Sequence, residues 1–300
     1  MNPETYAVLH ARLAQYLVTL PDKPEETVES TLHALWHTAA GSPRSAVAAM
    51  RDAPPPLPPG PRTDAVVALV NRRLAGEPLA HLTGRQHFMG LEMLSAPQAL
   101  IPRVETEMLG YAALELLPPA GGADAPLAID VCTGSGNLAY AIARHRPDVR
   151  MHATDLSAEA VAFARRNGAH LGLAGRVQFR TGDLLEPFLE PAFAGRTDLV
   201  ICAPPYIHSA KVERMAEEIS QHEPRLAFDG GPLGVTLLMR LFEEAPRLLR
   251  DGGWLAVEVG AGQGPALARR LQRDTTYAEI RPRADAGGEI RVILARKAGA

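Results

Sequence analysis

The chain has 300 residues, 46% of them hydrophobic, and a formal net charge of −3 at pH 7, which suits one large α/β domain with a small companion and offers no global attraction to nucleic acid. No run of about 18 apolar residues reads as a membrane span, and the opening MNPETYAVLH lacks the basic-then-apolar layout of a leader peptide, so a cytoplasmic protein with no membrane and no direct nucleic-acid partner is expected. Two cysteines, Cys132 and Cys202, are too few for a disulfide framework or a structural zinc site, so both read as reduced core residues and no metal is expected.

From Tyr6 to Met50, apolar residues recur at helical spacing (Val8, Leu9, Leu13, Tyr16, Leu17, then Leu32, Leu35, Trp36), broken at Leu20-Pro21-Asp22 and Gly41-Ser42-Pro43. This pattern predicts a small helical unit. The proline-rich run Ala53 to Pro61 cannot be helix and predicts a polyproline-like connector, read either as a stiff loop or as a PxxP ligand. A helix should start near Thr63 or Asp64. His87 to Leu94 and Gln98 to Ile101 predict a short hairpin joining the two parts.

From about Leu127, strand and helix patterns alternate, which predicts a parallel sheet with helices on both faces. The expected strands are Leu127 to Val131, Arg150 to Thr154, Val177 to Thr181, Asp198 to Cys202 and Trp254 to Val259. Runs near Tyr277 to Arg281 and Glu289 to Ala295 are expected to add an antiparallel edge pair. Ligands of such sheets bind beyond the carboxyl ends of the strands, so the loops after the first four strands should hold the site.

The first of these loops reads Asp130-Val131-Cys132-Thr133-Gly134-Ser135-Gly136-Asn137-Leu138-Ala139. Gly134-x-Gly136-x-x-Ala139 fits a dinucleotide fingerprint as well, with Asp155 at the spacing of a ribose-binding acid. Asp130 separates the readings: a carboxylate at the strand end disfavours a pyrophosphate and suits a phosphate-free cofactor with a cationic ammonium, which points to S-adenosylmethionine (SAM). Asp155 is placed to accept the ribose hydroxyls, or to cap the helix that begins near Ser157. Asp183 follows the third strand as an acceptor for the adenine amino group, or as a turn-stabilising residue.

The fourth strand runs into Ala203-Pro204-Pro205-Tyr206. Two prolines carry no N–H, so the turn offers carbonyl acceptors to a substrate donor. Glu105, Thr106 and Glu107 open a helix, where acids favour the dipole or approach the ligands. His208 is a candidate general base or a solvent-facing loop residue. Glu223 and Arg225 are read as a local pair fixing their loop, with Glu223 also a candidate contact for a cationic substrate.

These segments, taken in order, resemble the HemK/PrmC group of glutamine N5-methyltransferases, which modify peptide chain release factors. The resemblance rests on Pro78-Leu79-Ala80-His81-Leu82-Thr83-Gly84, Ile101-Pro102-Arg103-Val104-Glu105-Thr106-Glu107, the Gly134 loop and the Pro-Pro-Tyr turn. It continues through Glu223-Pro224-Arg225-Leu226-Ala227, Gly230-Gly231, Pro246-Arg247-Leu248-Leu249 and Gly252-Gly253-Trp254. It implies a Rossmann-like, seven-stranded SAM-dependent methyltransferase domain at residues 105–300, a helical substrate-recognition domain at 1–85 and a hairpin linker at 86–104. It also implies cofactor contacts from Asp130, Thr133, Gly134, Gly136, Asp155 and Asp183. Catalytic contacts fall to Ala203, Pro204 and Tyr206, and substrate contacts to Pro205, Glu105, Thr106, His208 and Glu223.

The sequence departs from the family where the substrate is read. Ala203 stands at the position of the motif asparagine, whose side-chain oxygen helps bind the amide NH2, and the stretch Leu20 to Glu26 also differs. The leading expectation is therefore methyl transfer to a nitrogen or oxygen of an amino-acid-like small molecule, or of a protein side chain other than the standard one. The alternatives are release-factor glutamine methylation itself and a SAM-binding interaction protein without catalysis.

Overall fold

The structure is a computed structural model that describes residues 3–122 and 124–299. Its contacts divide the chain into two units, Met1–Val104 with Met215–Glu223, and Glu105–Arg214 with Pro224–Ala300.

The first unit is built from α1 (Pro3–Tyr16), α2 (Val28–Ala39), α3 (Ala46–Ala49), α4 (Pro61–Leu74) and α5 (Leu79–Thr83), followed by a hairpin of β1 (Arg85–Phe88) and β2 (Leu91–Leu94). Thr27 and Ser30 form a reciprocal capping box at the start of α2, satisfying two helix-terminal donors. Leu9, Leu13, Leu32, Leu35, Trp36, Val66 and Val70 meet in one buried cluster. The proline-rich run is not helical, and its Pro55 carbonyl accepts from the Trp36 indole at 2.8 Å. Helix α4 starts at Pro61 rather than near Thr63, because proline suits the first helical position. The hairpin differs from expectation: it turns at Met89-Gly90, inside the span expected to be one strand, and Gln98 to Ile101 forms no strand.

The second unit opens with α6 (Glu107–Leu116) and then alternates β3 (Leu127–Val131), α7 (Asn137–His145), β4 (Arg150–Asp155), α8 (Ala158–His170), β5 (Val177–Thr181) and β6 (Thr197–Cys202). Short α9 (Ser209–Val212) follows, and the chain then enters the first unit as α10 (Glu217–His222). It returns through α11 (Thr236–Leu248), β7 (Leu249–Glu258), α12 (Gly264–Gln272), β8 (Tyr277–Ala284) and β9 (Ile290–Lys297). The seven strands are ordered β5-β4-β3-β6-β7-β9-β8. The first five are parallel, and β9 runs antiparallel to both β7 and β8. Every residue of β3 is buried, Asp130 included, as befits a strand covered on both faces. The strand order reverses between β3 and β6, so the loops after these two strands lie at the switch point where such sheets bind ligands.

Residues 215–223 are held in the first unit by charge. Glu218 pairs with Lys23 at 2.5 Å and with Arg73 at 2.7 Å, and Arg73 also reaches Glu26 at 3.1 Å. Glu223 pairs with Arg103 at 2.6 Å and accepts the Ile101 N–H at 2.8 Å. All these side chains are buried, so each ion depends on its partner. Burial pushes the Glu218 carboxyl up, but Lys23 and Arg73 outweigh it and hold the group below its ordinary value.

Candidate active site

Asp130 sits one residue before the end of β3, only 1% exposed. Its Oδ2 accepts from the Thr133 hydroxyl at 2.6 Å, and its Oδ1 has no hydrogen-bond partner among the described residues. Burial pushes this carboxyl up to about 7, against the pull of Thr133 and the Ala139 N–H. An acid poised in this way gains most from a cation beside it.

The glycines of the loop serve different ends. A Cβ on Gly134 would meet nothing within 4 Å, so the backbone there faces open space. A Cβ on Gly136 would lie 2.9 Å from the Tyr140 ring, and its φ of +79° is left-handed, so this position packs the loop onto α7 and suits only glycine. Asp155, at the end of β4, ties the loop to the next strand: Oδ2 accepts the Gly134 N–H at 2.8 Å and Oδ1 the Ser157 N–H at 2.9 Å. Ser157, not Asp155, caps α8. Burial raises the Asp155 carboxyl despite both bonds. Asp183 is not free: Arg240 Nη1 reaches both of its oxygens, at 2.9 and 3.2 Å.

The Ala203 turn is packed from below. The Tyr206 carbonyl accepts from Gln263 Nε2 at 3.0 Å, and Ile207 bonds to Phe228 and Gly230 through its backbone. A Cβ on Gly230 would lie 2.6 Å from the Pro205 carbonyl oxygen, and one on Gly234 2.3 Å from the Tyr206 oxygen. These glycines let the following loop press against the turn. The carbonyls of Ala203 and Pro204 accept no hydrogen bond among the described residues, leaving two acceptors at the end of β6.

The Tyr206 side chain is anchored by residues the sequence did not join to it. Its hydroxyl donates to Glu105 Oε1 at 3.1 Å and accepts from Arg291 Nη2 at 3.3 Å, and Arg291 pairs with Glu105 Oε2 at 3.0 Å. Glu258, buried at the end of β7, reaches the same hydroxyl and Thr106. Burial, then Glu258 and Glu105, push the phenol well above its ordinary range, keeping it protonated. Glu105 and Thr106 thus lie in a 3-10 turn ahead of α6 and brace the tyrosine.

Two expected substrate contacts have other partners in the structure. His208 caps α9, its Nδ1 accepting the Ala210 N–H at 3.0 Å, so that nitrogen is not free to act as a base. Glu223 is buried with both oxygens engaged by Arg103 and Ile101, which leaves it unsuited to grip a cationic substrate. Nor does it pair with Arg225, which reaches Asp229 at 3.5 Å instead. Among the described residues, no group of three or more His, Cys, Asp or Glu is placed to hold a metal ion, and no helix is long and apolar enough to cross a membrane.

A methyltransferase-domain family profile matches residues 128–223. The release factor glutamine methyltransferase of Moorella thermoacetica is 39% identical over 226 residues, covering 75% of this chain and 77% of the relative. The chain belongs to the HemK/PrmC family of methyltransferases. Enzymes of the same name from Streptomyces coelicolor and Geobacter sulfurreducens are 37% and 36% identical, over 77% and 76% of this chain and 79% and 76% of theirs. Two solved structures share the fold at low identity. The human methyltransferase 10 domain containing protein has a TM-score of 0.52 at 16% identity, over 70% of this chain and 89% of that one. A Pyrococcus furiosus methyltransferase has 0.50 at 19%, over 70% and 90%. As a HemK/PrmC methyltransferase, the chain carries its glycine loop and strand-end acids in one cluster at the switch point, with the Ala203 turn on the adjoining strand.

Proposed function

We propose that the protein transfers the methyl group of SAM to the side-chain amide nitrogen of a glutamine in a peptide chain release factor. The observation that carries this reading is the set of relatives named release factor glutamine methyltransferase, 35–39% identical over about three quarters of the chain. It replaces the expectation of a non-standard acceptor as the leading one.

The residues on the β3 and β4 ends fit SAM. Asp130 offers a buried, unpartnered oxygen for an ammonium, Gly134 an open backbone face, and Asp155 lone pairs beyond its two backbone bonds. Thr133 and Gly136 shape the loop around them, and Asp183 with Arg240 would border the adenine. SAM supplies an electrophilic methyl on a sulfonium. The chain's task is then to hold an amide nitrogen in line with that methyl and to exclude competing orientations.

The Ala203 and Pro204 carbonyls are the acceptors for the two amide hydrogens. Pro205 makes the turn rigid, and Tyr206, pinned by Glu105, Arg291 and Glu258, walls the acceptor site. As the N–C bond formed and the sulfonium's C–S bond broke to leave a neutral thioether, the positive charge would pass to the nitrogen, which would then lose one hydrogen as a proton to water without a dedicated base. Carbonyls that face that growing charge stabilise it.

Ala203 supports a second reading, an amine or hydroxyl acceptor, because one side-chain acceptor is missing. One experiment tests both. Single-turnover methyl incorporation into release-factor glutamine, read by peptide mass, is expected for the present protein. Ala203→Asn should raise the rate by up to about 10²-fold, the size of a single charge-stabilising partner. No incorporation by either protein, with SAM binding intact, would discard glutamine as the substrate.

A further inference from the structure

Cys132 and Cys202 are the only cysteines in the chain, and the fold brings them together. Cys202 ends β6 and pairs in register with Val131 of β3, the residue before Cys132. Adjacent strands lie about 4.8 Å apart, and Cys132 follows the paired Val131 directly as the chain leaves β3, so its Cα lies roughly one strand spacing from that of Cys202. That lies inside the range of about 4.4–6.8 Å that a disulfide spans. Both side chains pack on the same apolar cluster, and their thiols are hydrogen-bond partners.

The backbone adds a second observation. Cys132 has φ +58°, a left-handed conformation that a non-glycine residue rarely adopts. A strained backbone at a ligand loop invites a functional explanation. Cys132 roots the Thr133–Gly136 loop, and Cys202 roots the Ala203–Tyr206 turn. One covalent bond between them would therefore join the bases of both loops.

We propose that Cys132 and Cys202 form a reversible intramolecular disulfide under hydroperoxide, and that this bond disables the site by locking the two loop roots to each other. Cys132 is half-buried and Cys202 fully buried, so the oxidant reaches Cys132 first. Burial, then Cys132 itself and the carboxylates of Asp130 and Asp155, hold the Cys202 thiol well above its ordinary value, which keeps it protonated until the first oxidation has occurred. The Cys132 thiolate attacks the terminal peroxide oxygen. The S–O bond forms, the O–O bond breaks, and the leaving alkoxide takes a proton to become an alcohol, or water when hydrogen peroxide is used. The Cys202 sulfur then displaces the sulfenic oxygen, forming S–S and breaking S–O, while its proton leaves with that oxygen as water. The two thiols lose two electrons together and the peroxide gains them.

Bond formation stands independently of the proposed substrate and cofactor, whereas the loss of binding rests on the SAM reading, so the two are measured separately. The full chain is treated with hydrogen peroxide, alkylated and digested with trypsin without reduction. The expected product is a cross-linked pair of peptides 104–144 and 197–211 in a monomeric protein, reversed by dithiothreitol. Cys202→Ala should instead accumulate sulfenic or sulfinic acid at Cys132. Two persisting thiols, over-oxidised Cys132 beside free Cys202 in the unmutated protein, or intermolecular bonds would overturn the disulfide. Calorimetric titration with S-adenosylhomocysteine should then show at least tenfold weaker binding to the oxidised protein, restored on reduction. Oxidised protein that binds within twofold of the reduced form would overturn the coupling to the site, while reduced protein that fails to bind at all would count against the SAM reading instead.

Discussion

Replacing Asp130 by asparagine should make the ligand-free protein more stable at alkaline pH while weakening its grip on a cationic cofactor. The folded carboxyl titrates near 7 against an ordinary 3.8, a rise of about 3 units. At about 1.36 kcal/mol per unit, ionising it inside the fold costs up to about 4 kcal/mol. Between those two pH values the folded chain keeps a proton that the unfolded chain has lost. Stability therefore falls as pH rises and levels off above about 7. Most of that window lies between pH 5 and 8, where this one group should remove about 2–3 kcal/mol. Asparagine carries no such charge, and its oxygen can still accept from Thr133. Urea unfolding of both proteins at pH 5 and pH 8 measures the difference, because the other titrating groups are common to both. Added SAM should reverse the order, since a cation beside Asp130 favours the ionised form. In the native protein the SAM-induced stabilisation should grow from pH 5 to pH 8, and in Asp130→Asn it should not. An equal pH response of the two ligand-free proteins would refute the reasoning, because it would mean the acid is not forced to ionise at a cost.

Glu218→Ala should destabilise the first unit by about 3–5 kcal/mol, since it strands Lys23 and deprives Arg73 of one partner in a buried setting; limited proteolysis should show cleavage in residues 1–104 ahead of the sheet. Tyr206→Phe removes a hydroxyl with three neighbours yet keeps the ring, so turnover should fall less than in Tyr206→Ala, and stability by about 1 kcal/mol in thermal denaturation. Burial, then Arg180 and Arg150, hold His152 down at about 4. The unfolded chain thus binds a proton that the fold refuses, and stability should decline as pH falls from about 6.5 towards 4. His152→Phe should lessen that decline in acid-unfolding curves.

The sheet was legible because short strand-like segments alternate with helical ones, and β3 and β5 fall at the expected bounds. Strand β7 begins five residues early. Gly252-Gly253 reads as a turn, yet Gly253 lies so close to the Thr197 carbonyl that a Cβ would sit 2.9 Å from it, and Leu249 pairs with Thr197. The hairpin was misplaced because Met89 takes the left-handed turn position, with φ +44°, where glycine or asparagine would give the usual signal. Local chemistry revealed the glycine loop and the strand-end acids, since each lies within a few residues of its strand. The partners that decide what those acids and the turn can do come from far along the chain.

Glu223 shows the consequence. Its neighbours in sequence suggested a loop pair with Arg225, but its carboxylate finds Arg103, 120 positions away, and Glu218 finds Lys23 across 195. Sequence spacing carries no signal for such pairs, because an ion buried in a core is set by where two elements pack rather than by any period. The same holds for Tyr206, whose hydroxyl meets Glu105 and Arg291 across 101 and 85 positions. With its tyrosine braced from three sides and its downstream carbonyl held by Gln263, the turn is rigid without help from residue 203. Under the proposed glutamine transfer, rigidity of the Ala203 and Pro204 carbonyls is the property on which amide recognition would rest. A side-chain acceptor at residue 203 would add strength to that recognition but is not what fixes its geometry.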